Sequence, residues 1–134
     1  MSEEKKERIG AAELAAFCAK VADDKLAENV VTLPVAGKSS IADQLVIATA
    51  TSMPHLTALE SHIERAVRET HQLRVHASDG SAESGWIALD YITVIVHLML
   101  PEMRSRYGLE SLWSGEPTPE AISELESHIR RRKA

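Results

Sequence analysis

Three short apolar blocks constrain the fold of this chain more than any other feature. They lie at residues 44–50, 86–91 and 94–97, and few polar side chains interrupt them. Nearly continuous apolar runs of this length are typical of strands that are covered on both faces. The blocks therefore predict a sheet with helices packed on it.

Helices are predicted before and after the first block. Residues 11–28 carry apolar side chains near helical spacing, which indicates an amphipathic helix. A second helix should begin after Ser52, a capping hydroxyl, with Pro54 in its first turn, and run to about His71. A last helix should begin at Thr118, because the residues that follow are apolar at helical spacing, namely Ile122, Leu125 and Ile129.

Further strands complete the predicted sheet. Residues 30–35 form a strand that Pro34 places at an edge, since proline cannot donate to a ladder. Residues 73–76 form a short strand, and residues 77–85 form a polar loop. The two later blocks form either a tight hairpin or one bent strand. The order α-β-β-α-β-β-β-α-α predicts an α/β domain with a single mixed sheet of about five strands.

The charge of the chain excludes some partners. A formal charge of −5 argues against broad phosphate binding, and so against DNA, but it suits a basic protein partner. We expect no signal peptide, because no charged segment followed by an apolar run lies at residues 1–10, and the longest apolar stretch is far too short to span a membrane. We therefore expect a cytoplasmic protein with no membrane contact, in which the single cysteine, Cys18, is buried and unreactive.

The motifs that could carry catalysis are incomplete. Gly37, Lys38 and Ser39 match the end of a phosphate-binding loop, but Thr32 stands where its first glycine is required. Gly37, Ser39, Ser40 and Asp43 faintly resemble the turn of a nucleotidyltransferase, yet no second carboxylate lies two residues from Asp43. We predict no catalytic residue, no cofactor and no bound metal, because the six histidines also lack metal-site spacing.

Aromatic and charged residues remain as candidates for an interface. The residue types that dominate interface energies are found at Trp86, Tyr91, Arg104, Tyr107 and Trp113. Trp86 follows a Ser-Gly loop and is predicted to be the most exposed of them. His97 interrupts an apolar strand, where a polar ring must find a partner. It is either a core histidine bonded to a carboxylate or carbonyl, or a residue at the edge of a binding face.

Together these pieces resemble the Iojap-like ribosomal silencing factors. The segments that carry the resemblance are Ser40-Ile41-Ala42-Asp43, Val46-Ile47-Ala48-Thr49, Thr51-Ser52, Trp86-Ile87-Ala88-Leu89-Asp90-Tyr91, Val94-Ile95-Val96-His97, and Pro101-Glu102 with Arg104, Tyr107, Leu109-Glu110 and Leu112-Trp113. The resemblance implies a nucleotidyltransferase-like topology without that activity. It also implies binding to ribosomal protein L-fourteen of the large subunit, which blocks joining of the small subunit and dampens translation when nutrients are short.

The resemblance and the residues together predict a contact set. The residues expected at or directly behind the partner contact are Trp86, Asp90, Tyr91, His97, Met99 and Arg104. The residues expected to belong to the structural motif of the family are Asp43, Ser52, Tyr107, Glu110 and Trp113. The chain departs from the family pattern at Ala50, Ile92, Thr93, Met99 and Arg106, and Ile92 and Thr93 replace a common Gly-Asp.

The predicted organisation has three parts. Residues 1–10 form a flexible N-terminus, residues 11–113 form the Iojap-like domain, and residues 114–134 form a linker and a helix with a basic end at 130–133. That basic end could make a minor contact with ribosomal RNA. Two alternatives stay open: an enzyme that handles nucleotides through the turn at residues 37–43, and an interaction module that forms a homodimer.

Overall fold

The computed structural model describes residues 9–129 of this 134-residue chain. The elements in chain order are α1 (Ala11–Asp24), β1 (Glu28–Pro34), β2 (Gln44–Thr49), α2 (Met53–His71), β3 (Ala77–Ser81), β4 (Trp86–Asp90), β5 (Val94–Met99), α3 (Pro101–Arg106), a 3-10 helix (Glu110–Ser114) and α4 (Pro119–Glu126).

The five strands form one mixed sheet in the order β1-β2-β5-β4-β3. Strands β2 and β5 are parallel, and every other neighbouring pair is antiparallel. The predicted α/β class with a single mixed sheet is therefore confirmed. The edge position of the first strand is also confirmed, and Pro34 lies at its end, where a missing amide donor costs least.

Both faces of the sheet are covered. Alternate residues of β2 face opposite sides, so that Val46 and Ala48 belong to one core and Leu45 and Ile47 to the other. Helices α1 and α2 cover the side of Val46, which we call the first face. Helix α3, the 3-10 helix and residues 118–129 cover the other side, the second face. The cover predicted from the apolar block is confirmed.

The third strand lies later in the chain than predicted. Residues 73–76 are irregular, and strand β3 has the sequence Ala-Ser-Asp-Gly-Ser, which was predicted to be loop. Leu73 and Val75 pack against the core of the first face without joining a ladder. The polar segment forms a strand because it pairs with the buried strand β4 at the edge of the sheet, where tertiary context outweighs β-propensity.

A tight hairpin joins β4 to β5. The two strands pair directly, and the Asp90 carboxylate accepts a hydrogen bond of 2.8 Å from the Ile92 N–H. Ile92 has φ +74°, a left-handed conformation that a β-branched residue rarely adopts. A β-branched residue at this turn therefore holds a strained backbone conformation at an exposed position.

Helix α4 begins where predicted and ends at Glu126, earlier than the sequence suggested. The Thr118 hydroxyl caps it by accepting from the Ala121 N–H at 3.1 Å. Residues 1–8 of the flexible N-terminus predicted at 1–10, and the basic end predicted at residues 130–133, lie outside the described residues. None of the helices between residues 9 and 129 combines the length and the apolar character that a membrane span requires.

Candidate functional site

Trp86 lies at the start of β4, opposite Met99 of β5, on the second face of the sheet. Only 3% of its surface is exposed, so the prediction that it is the most exposed aromatic residue was wrong. In the preceding loop Ser84 is exposed and Gly85 is buried, and side chains from later in the chain cover the indole. The sequence near Trp86 holds no signal for that cover.

Four rings form an aromatic cluster, which we define as Trp86, His97, Tyr107 and His128. His128 stacks on Trp86 with a centroid distance of 3.8 Å and an interplanar angle of 17°. Tyr107 meets both of these rings edge-on at 5.4 Å. Trp86 also meets His97 edge-on at 5.8 Å. The C-terminal part of the chain, through His128, therefore closes the cluster from outside.

His97 lies at the bottom of this cluster and is 1% exposed. Its Nδ1 accepts a hydrogen bond of 2.9 Å from the Trp86 Nε1–H. It is thus a buried histidine, and its partner is an indole rather than the expected carboxylate or carbonyl. The acceptor role of Nδ1 places the ring proton on Nε2, which has no hydrogen-bond partner among the described residues.

The protonation of His97 is opposed by its surroundings. Burial in the sheet is the larger cause and the nearby His128 the smaller one, and together they lower the pKa of His97 to about 3. The imidazole is therefore neutral at physiological pH. It can act as a hydrogen-bond donor through Nε2 and as an acceptor through Nδ1, but not as a cation.

Three further predicted contact residues are buried. Met99 shares the second face with Trp86 and is fully buried, and Asp90 is fully buried at the end of β4. Tyr91 belongs to the core of the first face, where burial raises the pKa of its hydroxyl and no described residue hydrogen-bonds to it. The predicted set is therefore not one exposed patch. Trp86, His97 and Met99 are brought together, whereas Tyr91 lies behind the sheet.

Arg104 is the one half-buried member of the predicted contact set. Its guanidinium carbon lies 5.1 Å from the centroid of the Trp113 ring, which is within cation–π range. The Trp113 Nε1–H donates to the carbonyl oxygen of Asn29 at 2.6 Å, and this bond ties the 3-10 helix to the edge strand. Arg104 is thus held in place on the outer side of the second face.

The predicted motif residues are mostly positioning residues. Ser52 caps α2 by accepting from the His55 N–H at 3.2 Å, so the predicted helix start is confirmed. Tyr107 belongs to the aromatic cluster, and the Trp113 ring makes the cation–π contact with Arg104. Asp43 and Glu110 are exposed. Their roles in the family motif stay predictions.

The turn at residues 37–43 contacts helix α4. The Ser39 hydroxyl donates to the Glu126 carboxylate at 2.7 Å, and the Ser40 N–H donates to the same oxygen at 3.3 Å. The hydroxyl that a nucleotide-binding turn would use is therefore already engaged. Within residues 9–129, no three His, Cys, Asp or Glu side chains are grouped closely enough to hold a metal ion.

A cavity of about 200 Å³ lies beside the aromatic cluster. Its lining includes Trp86, Tyr107 and His128, together with the buried Asp79 and the exposed Ser84. From the sequence, His128 is predicted only as one of six histidines without metal-site spacing, and its place beside this cavity is not predicted. The helical spacing of Ile122, Leu125 and Ile129 was the sequence signal that could have indicated this position. A short amphipathic helix must pack its apolar face on some surface, and His128 lies on the segment that does so.

Comparisons with known proteins identify what this fold resembles. The family model described as "Ribosomal silencing factor during starvation" matches residues 8–134. A ribosomal silencing factor RsfS from Zymomonas mobilis is 36% identical over 103 residues, which cover 76% of this chain and 77% of that protein. The mouse "Mitochondrial assembly of ribosomal large subunit protein 1" is 29% identical over 93 residues, which cover 66% of this chain and 40% of that protein. A crystal structure of a protein from Chromobacterium violaceum superposes with a TM-score of 0.72 at 24% identity, covering 81% of this chain and 89% of that one.

Proposed function

This chain belongs to the RsfS family of ribosomal silencing factors, and from that membership we propose that it binds the large ribosomal subunit through ribosomal protein L-fourteen. Bound there, it blocks joining of the small subunit and so represses translation. The observation that carries the proposal is the family match, which extends over residues 8–134. The predicted cytoplasmic location is part of the same proposal.

Charge and the names of relatives support a ribosomal partner. The formal charge of −5 favours encounter with a basic protein, because complementary potentials raise the association rate. The name of the mouse relative places that protein in assembly of the ribosomal large subunit. Inhibition by occupying a surface needs no catalytic group, and we propose that the chain makes and breaks no covalent bond.

The proposed contact surface is the outer side of the second face. Arg104 is available there and can pair with a carboxylate or carbonyl of the partner. Trp86, His97 and Met99 are buried directly behind this surface in the free chain. Asp90 and Tyr91 act through the hairpin turn, because their burial keeps them from direct contact in this conformation.

Sedimentation with purified large ribosomal subunits through a sucrose gradient tests the proposal. We expect the chain to move with the subunits, and to slow subunit joining as followed by light scattering. Arg104→Gln should weaken binding by about fivefold or more if Arg104 is an interface anchor. Arg106→Gln is the matched control, since it removes the same charge from an exposed position of the same helix. A chain that stays at the top of the gradient would refute the proposal.

The two alternatives predict different outcomes. A nucleotide-handling enzyme would be stabilised by a nucleoside triphosphate with Mg²⁺ in a thermal denaturation, because a ligand of the folded state raises its stability by mass action. A homodimeric module would sediment as a dimer whether or not ribosomal subunits are present. Neither outcome is expected for a chain whose partner is the large subunit.

A further inference from the structure

We propose that residues 118–129, which we call the C-terminal cap, cover the partner-binding face in the free chain and leave it when the large ribosomal subunit binds. This inference rests on the proposed function, and it concerns the regulation of the same site. The cap comprises the capping residue Thr118, helix α4 and the three residues after it. The cap thus acts as an internal competitor of the partner.

The cap covers the residues that the contact prediction singles out on the second face. His128 stacks on Trp86, and Ile122, Leu125 and Ile129 border a small cavity onto which His97 opens. Trp86 and His97 are 3% and 1% exposed with the cap in place. A partner can reach the indole or the imidazole only if these residues move away.

The attachment of the cap is confined to a few side chains. Its buried residues are Ala121, Ile122, Leu125 and Ile129. Its polar contacts with the rest of the chain include those of Glu126 with the turn at Ser39 and Ser40, and a hydrogen bond from the Thr118 N–H to the Ser111 hydroxyl. A helix of eight residues is marginal without packing, so the cap can be ordered on the sheet and lose its order when it leaves. A segment that is held by few buried side chains opens locally at a lower free-energy cost than the rest of the fold.

The connection to the cap allows it to move. Residues 114–116 are exposed, and Gly115 has φ +87°, which ends the 3-10 helix in a conformation suited to glycine. The core of the first face, with α1 and α2, contains no residue of the cap. Release of the cap therefore leaves that core and the five strands in place.

His97 gives a chemical reason for the cap to be exchanged. Its Nε2–H is buried beneath the cap without a hydrogen-bond partner in the described part of the chain. A buried donor without an acceptor destabilises the covered state. A partner that presents a carbonyl or hydroxyl oxygen at this point would satisfy the donor, which the apolar side chains of the cap do not.

Hydrogen exchange on the full chain tests the inference directly. The amide of Ile122 donates to the Thr118 carbonyl oxygen, and the amide of Ser127 donates to the Ser123 carbonyl oxygen. We expect peptides that contain these amides to exchange about tenfold faster when large subunits are bound. Peptides from β2 and β5 serve as the internal control and should exchange no faster. Equal or slower exchange in the cap on binding would overturn the inference.

A variant with a loosened cap provides an independent test. Leu125→Ser removes a buried apolar contact, and Ser123→Ala changes an exposed position of the same helix as the control. The apparent Kd falls as the binding-competent fraction rises, so Leu125→Ser should bind large subunits about fivefold more tightly. Unchanged or weaker binding would mean that the cap does not compete with the partner. Circular dichroism verifies that the variant is folded.

The two proposals fail in different ways. If neither the natural chain nor Leu125→Ser moves with large subunits, the proposed function is wrong and the cap has no partner to compete with. If the natural chain binds while its cap amides keep their protection, the proposed function stands and the cap inference alone is wrong. Binding by Leu125→Ser but not by the natural chain would support both.

Discussion

Replacing His97 by Asn should remove a large part of the acid sensitivity of this fold. The Asn side-chain oxygen can take the place of Nδ1 and accept from the Trp86 indole N–H, but the amide does not titrate. The variant therefore keeps the acceptor while deleting the proton-binding group. Its smaller side chain lowers stability by a constant amount, which does not affect the pH slope.

The magnitude follows from the pKa of His97. Burial and His128 hold that pKa at about 3 in the folded chain, whereas an unfolded histidine titrates near about 6.5. Between these values only the unfolded chain binds the proton, so the free energy of unfolding falls as pH falls. One proton corresponds to about 1.4 kcal/mol per pH unit, or about 3 kcal/mol between about pH 7 and pH 4. This loss is a large fraction of the stability of a typical domain.

Urea denaturation at a series of pH values measures the effect. The difference in unfolding free energy between the natural chain and His97→Asn should be flat above about pH 7 and should change by about 3 kcal/mol by about pH 4. Leu98→Val is the control, because it weakens the same strand on the other face and leaves His97 intact. A difference that stays flat down to about pH 4 would refute the assignment of His97 as a buried neutral base.

Three further changes test other parts of the structure. Ile92→Gly should raise the free energy of unfolding by about 1 kcal/mol, since it relieves a left-handed backbone at a β-branched residue; an unchanged urea midpoint would contradict this. Gly80→Ala should destabilise the fold by about 2 kcal/mol more than Gly37→Ala. Both glycines have positive φ, but only at Gly80 would the added methyl overlap the Trp86 carbonyl oxygen. Equal losses of unfolding free energy in parallel urea denaturations would show that the sheet edge moves to accommodate the methyl. Cys18 should react with a thiol reagent orders of magnitude more slowly in the folded chain than in urea, because burial raises the pKa of its thiol to about 12; comparable rates would mean that α1 opens readily.

Local patterns predicted most of the elements in this fold. The hydroxyl of Ser52 and the ring of Pro54 predict the start of α2, and Pro34 predicts the edge position of β1. These signals could be recognised because each acts within a few residues of its own position. Strand β3 has no such signal. Its polar sequence becomes a strand only through pairing with β4, and pairing partners are distant in sequence.

The environment of Trp86 could not be predicted for the same physical reason. The Ser-Gly loop before it correctly indicates a turn at the surface. Whether the indole remains exposed depends on His128, which lies 42 residues further along the chain. Hydrophobic spacing shows that the last helix has an apolar face, but not which surface that face meets.

The two faces of the sheet differ in how their cover is built, and this difference bears on function. The first face is covered by α1 and α2, which have 14 and 19 residues. The second face is covered by helices of six, five and eight residues, of which prolines begin the first and the last and glycines separate all three. Short helices depend on packing for their order, so the cover of the second face can be exchanged at a lower cost than that of the first. The second face, which carries Trp86 and His97, is therefore the one on which a partner can displace the chain's own covering helices at the lower free-energy cost.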